Sequence, residues 1–181
     1  MAAASPGTYS FGIDHPADLA LTVAAYNCAP LGVIRALRDG ALVDVASSNG
    51  FTPLMWVAFR SGIGFDPMAS ARWLLAAGAD VNRVGGNLPA TALTLACEMH
   101  NAELVGLLLR NGADPDPPRH VDSPVHCALP AADVVALLIA AGADRNRIYR
   151  KQTALERYLE GWADPEFGDP DRDAAMRRLL G

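Results

Sequence analysis

The chain has 181 residues, 51% of them hydrophobic, enough for one domain with a substantial core and too much for general disorder. Asp and Glu number 20 against 15 Lys and Arg, a net charge of -5, so no chain-wide positive field exists to hold nucleic acid. The longest apolar run, Val134 to Ala143, is about half a bilayer span, and Met1 to Asp14 lacks the basic start and apolar stretch of an export signal. A cytoplasmic protein without membrane contact is expected. Cys28, Cys97 and Cys127 are an odd number at spacings unlike a disulfide framework, and free, mostly buried thiols follow.

In chain order, residues 1–16 read as an N-terminal extension and Leu19 to Gly40 as a first, degenerate helical unit. From there two markers alternate. Gly-Ala-Asp occurs at Gly78 to Asp80, Gly112 to Asp114 and Gly142 to Asp144, with a weaker copy at Gly40 to Asp44. Between them stand Thr52-Pro53-Leu54-Met55, Thr91-Ala92-Leu93-Thr94, Ser123-Pro124-Val125-His126 and Thr153-Ala154-Leu155-Glu156. A Thr or Ser ahead of Pro or Ala predicts a helix start, the hydroxyl capping free amides of the first turn. Each glycine follows an apolar run such as Leu107-Leu108-Leu109 by three residues, where a helix closes in a left-handed conformation. One unit is therefore two short helices and an extended turn. The units fall at about 17–44, 45–82, 83–116, 117–146 and 147–181.

These residues resemble the ankyrin repeat, whose units carry a TPLH first helix, an apolar second helix and a GADVN turn. The resemblance covers roughly Ala17 to Gly181 and implies an all-α solenoid of about five stacked helix-turn-helix units. Departures are local. They include about six extra residues from Gly62 to Ala69, a shortening near Pro130, and an acidic loop from Trp162 to Asp173. Only Ser123 to His126 keeps the histidine of the repeat pattern.

Several constellations could carry chemistry. Asp80, Asp114 and Asp144 recur one repeat apart, so no pair shares a substrate, and each is expected to order its own turn. Cys97, His100, His126 and Cys127 suggest zinc, but adjacent helical residues diverge by about 100 degrees, so His126 and Cys127 cannot both face one ion. Both cysteines are expected in the core, and the resemblance gives His126 the role of bonding turn backbone. Asp169 to Asp173 mimics half a calcium loop but lacks its glycine and its final glutamate; Asp169 as a helix cap is the plainer reading. No nucleophile elbow or Walker loop occurs. Neither an enzyme nor a bound metal or cofactor is expected. Arg145, Arg147, Arg150 and Lys151 with Tyr149 form a dense basic patch, read as a solvated hairpin beside the acidic loop.

The resemblance also implies that turns and first helices line a concave, protein-binding face. The open positions ending first helices correspond to Tyr26, Asn27, Phe59, Arg60, Glu98 and Met99, and the turn positions to Ser48, Asn49, Phe51, Asn87, Leu88, Arg119 and His120, with Tyr149 and Arg150 beyond. Tyr26, Phe59 and Met99 would form one apolar row; the alternative packs Phe51 and Phe59 under the Gly62 to Ala69 insertion. A protein-binding adaptor or inhibitor, monomeric when alone, is the expectation. An immunity or antagonist protein blocking one toxin or enzyme is its narrower form, a metal-dependent hydrolase the remote alternative, and nucleic acid binding is disfavoured.

Overall fold

The computed structural model describes residues 11–87, 89–162 and 169–181. Among them, ten helices form five hairpins. Helices α1 (Pro16–Tyr26) and α2 (Pro30–Arg38) make the first, α3 (Pro53–Phe59) and α4 (Pro67–Ala76) the second, α5 (Ala92–Glu98) and α6 (Ala102–Arg110) the third. The fourth is α7 (Pro124–Cys127) with α8 (Ala132–Ala140), and the fifth α9 (Ala154–Gly161) with α10 (Pro170–Leu180). The inner row α1, α3, α5, α7 and α9 packs neighbour on neighbour, as does the outer row α2, α4, α6, α8 and α10. The fold is the all-α repeat solenoid expected from the two alternating markers.

The markers act locally as their chemistry dictates. Thr52, Thr91 and Thr153 each accept a hydrogen bond from the third amide of their helix, given by Met55, Thr94 and Glu156. Ser123 departs from the expectation: it makes no side-chain cap, and its hydroxyl lies 3.0 Å from His126 Nδ1. Asp169 caps α10 through the amides of Asp171 and Arg172. Gly40, Gly78, Gly112 and Gly142 close the outer helices of the first four hairpins at φ of 90°, 89°, 87° and 97°. A Cβ on any of the four would meet nothing within 4 Å, so the requirement is the left-handed backbone itself and not space.

Each hairpin buries its apolar faces against the next. Leu54, Leu74, Leu93, Leu104, Leu108, Leu138, Tyr158 and Met176 are all fully buried. A second, polar connection runs along the turns. The carboxylate of Asp44 accepts the N–H of Asp80 at 3.0 Å, Asn82 Oδ1 that of Asp114 at 2.8 Å, and Asp116 Oδ2 that of Asp144 at 2.7 Å. Asp80, Asp114 and Asp144 in turn hold the amide two residues on, at 3.0, 2.9 and 2.9 Å. Among the described residues no hairpin precedes the first unit, and there Asp18 of α1 accepts from Leu42 N at 2.7 Å.

Two regions of irregular sequence are also pinned. The insertion after α3 is held by hydrogen bonds from the amides of Phe65 and Asp66 to the carbonyls of Asn27 and Cys28, at 3.2 and 2.9 Å. Gly64 lies so close to the first unit that a Cβ would fall 2.3 Å from Cys28 Sγ. The loop leaves Ile63 and Phe65 72% and 87% exposed, and Phe51 and Phe59 pack on Trp56 rather than beneath it. The basic patch is mostly structural. Arg147 donates to the carbonyls of Pro117 and Pro118, at 2.6 and 3.3 Å, and lies 3.7 Å from Asp116, while Arg145 donates to the Gly181 carbonyl at 3.2 Å.

The stack makes central damage costly. Leu108→Ala is expected to destabilise the protein by about 2–5 kcal/mol, and Thr52→Ala by about 0.5–2 kcal/mol, in urea denaturation followed by circular dichroism. Arg150 and Lys151 occupy positive φ, 50° and 74°, in the two-residue hairpin that joins Tyr149 to Gln152. Lys151→Gly should therefore raise stability by about 0.5–1 kcal/mol in the same experiment.

Candidate functional site

The turns and inner helices present one continuous groove. In a short helix, residues three apart share a face, and each inner helix after the first sets such a pair, or part of one, toward the groove: Trp56 with Phe59, Leu95 with Glu98, Cys127 alone where α7 ends early, and Arg157 with Glu160.

At the N-terminal end the groove floor is aromatic. The Trp56 ring, 4% exposed, is met edge-on by Phe11, Tyr26, Phe51 and Phe59 at centroid distances of 5.5, 5.4, 5.0 and 6.2 Å. Trp56 is fixed by its indole N–H, which donates to Ser47 Oγ at 3.1 Å. Phe11 is buried here, so residues ahead of position 17 take part in the stack. Next comes a cavity of about 270 Å³ lined by Asn49, Phe51, Phe59, Asn87, Ala90, Leu95, Glu98 and Asp122. A second cavity, about 250 Å³, adjoins it and is lined by Glu98, Asp122, His126, Cys127, Tyr149, Arg150, Gln152 and Arg157. Glu98 and Asp122 belong to both.

Burial, and secondarily the neighbouring Asp122 charge, push the Glu98 carboxyl above its ordinary range. The Tyr149 hydroxyl donates to Asp122, and the phenol is pushed up to about 12 by burial and by that partner. The Arg150 guanidinium sits 5.1 Å from the Tyr149 ring centre and Arg157 5.6 Å from that of Trp162. His126 Nε2 lies 3.1 Å from the Gln152 carbonyl and Nδ1 3.0 Å from Ser123 Oγ. A carbonyl only accepts, so Nε2 carries the proton and Nδ1 accepts from the serine hydroxyl. Burial lowers the His126 pKa.

The thiols are passive. Burial raises Cys28 to about 11 and Cys97 well above its ordinary value, and Cys127 is raised by burial and by the carboxylates of Glu98 and Asp122. None is an activated nucleophile. The expectation of a core position fails for Cys127, which is half-buried and lines the second cavity because α7 stops there. Among the described residues no three His, Cys, Asp or Glu side chains gather where a metal ion could be held.

Of the residues singled out from the sequence, the structure brings Asn49, Phe51, Phe59, Asn87, Glu98, Tyr149 and Arg150 onto the two cavities. Tyr26 does not stand open in a row with Phe59 and Met99. It is half-buried against Phe11 and Trp56, with the Arg60 guanidinium 4.4 Å above its ring and Arg60 Nε donating to its carbonyl. Asn27 is exposed and donates to the Val23 carbonyl; Ser48 bonds Phe11 through its amide. Met99, Arg119 and His120 are exposed outside both cavities. Leu88 lies outside the described residues. Sequence reading missed Trp56, Leu95, Cys127 and Arg157 as groove residues. Their signal was present: each stands four residues after the Thr or Ser that opens its inner helix.

Helix hairpins stacked in register, joined by turns that open onto a groove, define a helical-repeat solenoid. Residues 64–149 match the family model for ankyrin repeats, in three copies, and ankyrin repeats generally act as protein-interaction modules. One similar protein is the Ankyrin repeat and KH domain-containing protein mask-1 of Caenorhabditis elegans, 41% identical over 71 residues, or 36% of this chain. The match spans 3% of that protein's length. Among the described residues no helix is long and apolar enough to cross a membrane.

The buried neutral imidazole has a pH consequence. Its folded pKa lies below the unfolded value of 6.5, so the unfolded chain takes up a proton that the folded chain refuses as pH falls below about 6.5. The stability tied to neutral His126 is present above that pH and lost as pH falls toward the folded pKa. The urea midpoint of the parent should drop further than that of His126→Gln between about pH 7 and about pH 5; comparing the two cancels the opposite contribution of Glu98.

Proposed function

We propose that the protein works by occupying the surface of another protein with the groove between its turns and inner helices, as an adaptor or inhibitor and not as an enzyme. The observation that carries this reading is the apolar floor of the first cavity. Phe59 stands 39% exposed beside Phe51 and Leu95, and interfaces concentrate their energy in a few such anchors surrounded by polar groups. The groups with catalytic chemistry are otherwise engaged: His126 uses its ring nitrogens on the Gln152 carbonyl and the Ser123 hydroxyl, and the thiols are held protonated. A dedicated antagonist of one toxin or enzyme is the narrower form of the same reading, since a groove of this kind can act by covering its partner.

Phe59→Asp is expected to weaken partner binding by about 2 kcal/mol or more, roughly thirtyfold. Arg110→Glu, on the exposed outer helix α6, should leave it nearly intact. Titration calorimetry with the captured partner reads both, with the melting temperature of each variant as control; equal affinity of Phe59→Asp and parent removes the groove from the function.

A further inference from the structure

We propose that the groove selects a protein segment carrying an arginine, whose guanidinium sits between Glu98 and Asp122 and whose stem lies along Phe59 and Leu95. The inference rests on the groove being the binding surface and adds the chemistry of what fills it. The two cavities differ in character and meet at these two carboxylates, which line both. On one side the walls are Phe51, Phe59, Ala90 and Leu95, a surface for hydrocarbon; where it adjoins the second cavity stand two acids. A side chain that matches this sequence is apolar for its first few atoms and cationic at its tip.

The charges at the junction are unbalanced from within. Among the described residues the ion pairs are His15 with Asp18 and Arg147 with Asp116, so neither Glu98 nor Asp122 has one. The two guanidiniums that line the second cavity stack on rings, Arg150 over that of Tyr149 and Arg157 over that of Trp162, and neither forms an ion pair with the two acids. Asp122 accepts one hydrogen bond, from the Tyr149 hydroxyl. The Glu98 carboxylate receives the Cys127 thiol at 4.0 Å, and desolvation at the cavity wall together with the like charge of Asp122 raises its pKa. A cation from outside relieves both. Arginine is preferred over lysine because its planar fork can donate to two carboxylates at once while its face stacks on Phe59. The chain's own excess of acid over base, 20 against 15, favours approach of a basic segment at low salt.

The test uses the full chain and a displayed library of random heptapeptides. Enriched peptides should carry an arginine next to a large apolar residue. The strongest of them, resynthesised, should bind Glu98→Gln/Asp122→Asn about tenfold or more weakly than parent, lose affinity as salt rises, and weaken when its arginine becomes citrulline. The double substitution keeps size and hydrogen-bonding capacity, and its melting curve controls for folding. Peptides with an apolar consensus and no basic residue, lost in Phe59→Asp but indifferent to the double substitution, would overturn the arginine site and leave the groove reading standing. An acidic consensus would overturn it in favour of Arg150 and Arg157. Recovery of no peptide that depends on Phe59 would overturn both.

Discussion

Everything in this molecule depends on one unit presenting the next with a surface it can close against. No hairpin here has the area to bury its own apolar faces, so stability is a sum of neighbour contacts. The contacts come in two kinds with different jobs. Buried leucines of the inner and outer rows supply the driving force, which is non-directional. The turn ladder, Asp44 to Asp80, Asn82 to Asp114 and Asp116 to Asp144, supplies register. A hydrogen bond that a backbone N–H donates to a carboxylate or side-chain amide oxygen tolerates little displacement, so the ladder fixes where each turn lies over the previous one. In the first unit the accepting carboxylate is that of Asp18.

The groove inherits its geometry from that register. Inner helices spaced by the stack lay their Trp56/Phe59 and Leu95/Glu98 pairs side by side, and the turns bring Asn49, Asn87, Asp122 and Tyr149 in above them. Character changes along the groove, from edge-to-face aromatic rings to carboxylates to guanidiniums on rings. That order follows from which residue each unit carries at one position, since Trp56, Leu95, Cys127 and Arg157 are equivalents. A repeat fold in this way converts a list of single residues into a linear surface.

Residues with reactive reputations are absorbed by the scaffold. His126 ties the fourth unit to the fifth through the Gln152 carbonyl, Arg147 ties the fifth turn to the fourth, and Cys97 is core. Each pKa shift has burial as its leading cause at Cys28, Cys97, Glu98, His126 and Cys127. For the histidine and thiols the consequence is neutrality. For Glu98, beside Asp122, it is a disfavoured charge at the junction of the two cavities.

The sequence by itself determined where the inner helices open at Thr52, Thr91 and Thr153, the repeat of about five units, the left-handed glycines and the self-ordering aspartates, because capping and closing are decided within a few residues of chain. It also marked Phe51, Phe59 and Glu98 as outward-facing, since position within a repeat implies face. Tertiary structure alone decided that Tyr26 is covered by Phe11 and Arg60, that the Ser123 hydroxyl meets His126 and caps no amide, that Cys127 leaves the core where α7 ends, and that Asp122 joins Glu98 across 23 intervening positions of chain. Those outcomes depend on which side chains from different units arrive at the same place, and packing between units, not local preference, settles that.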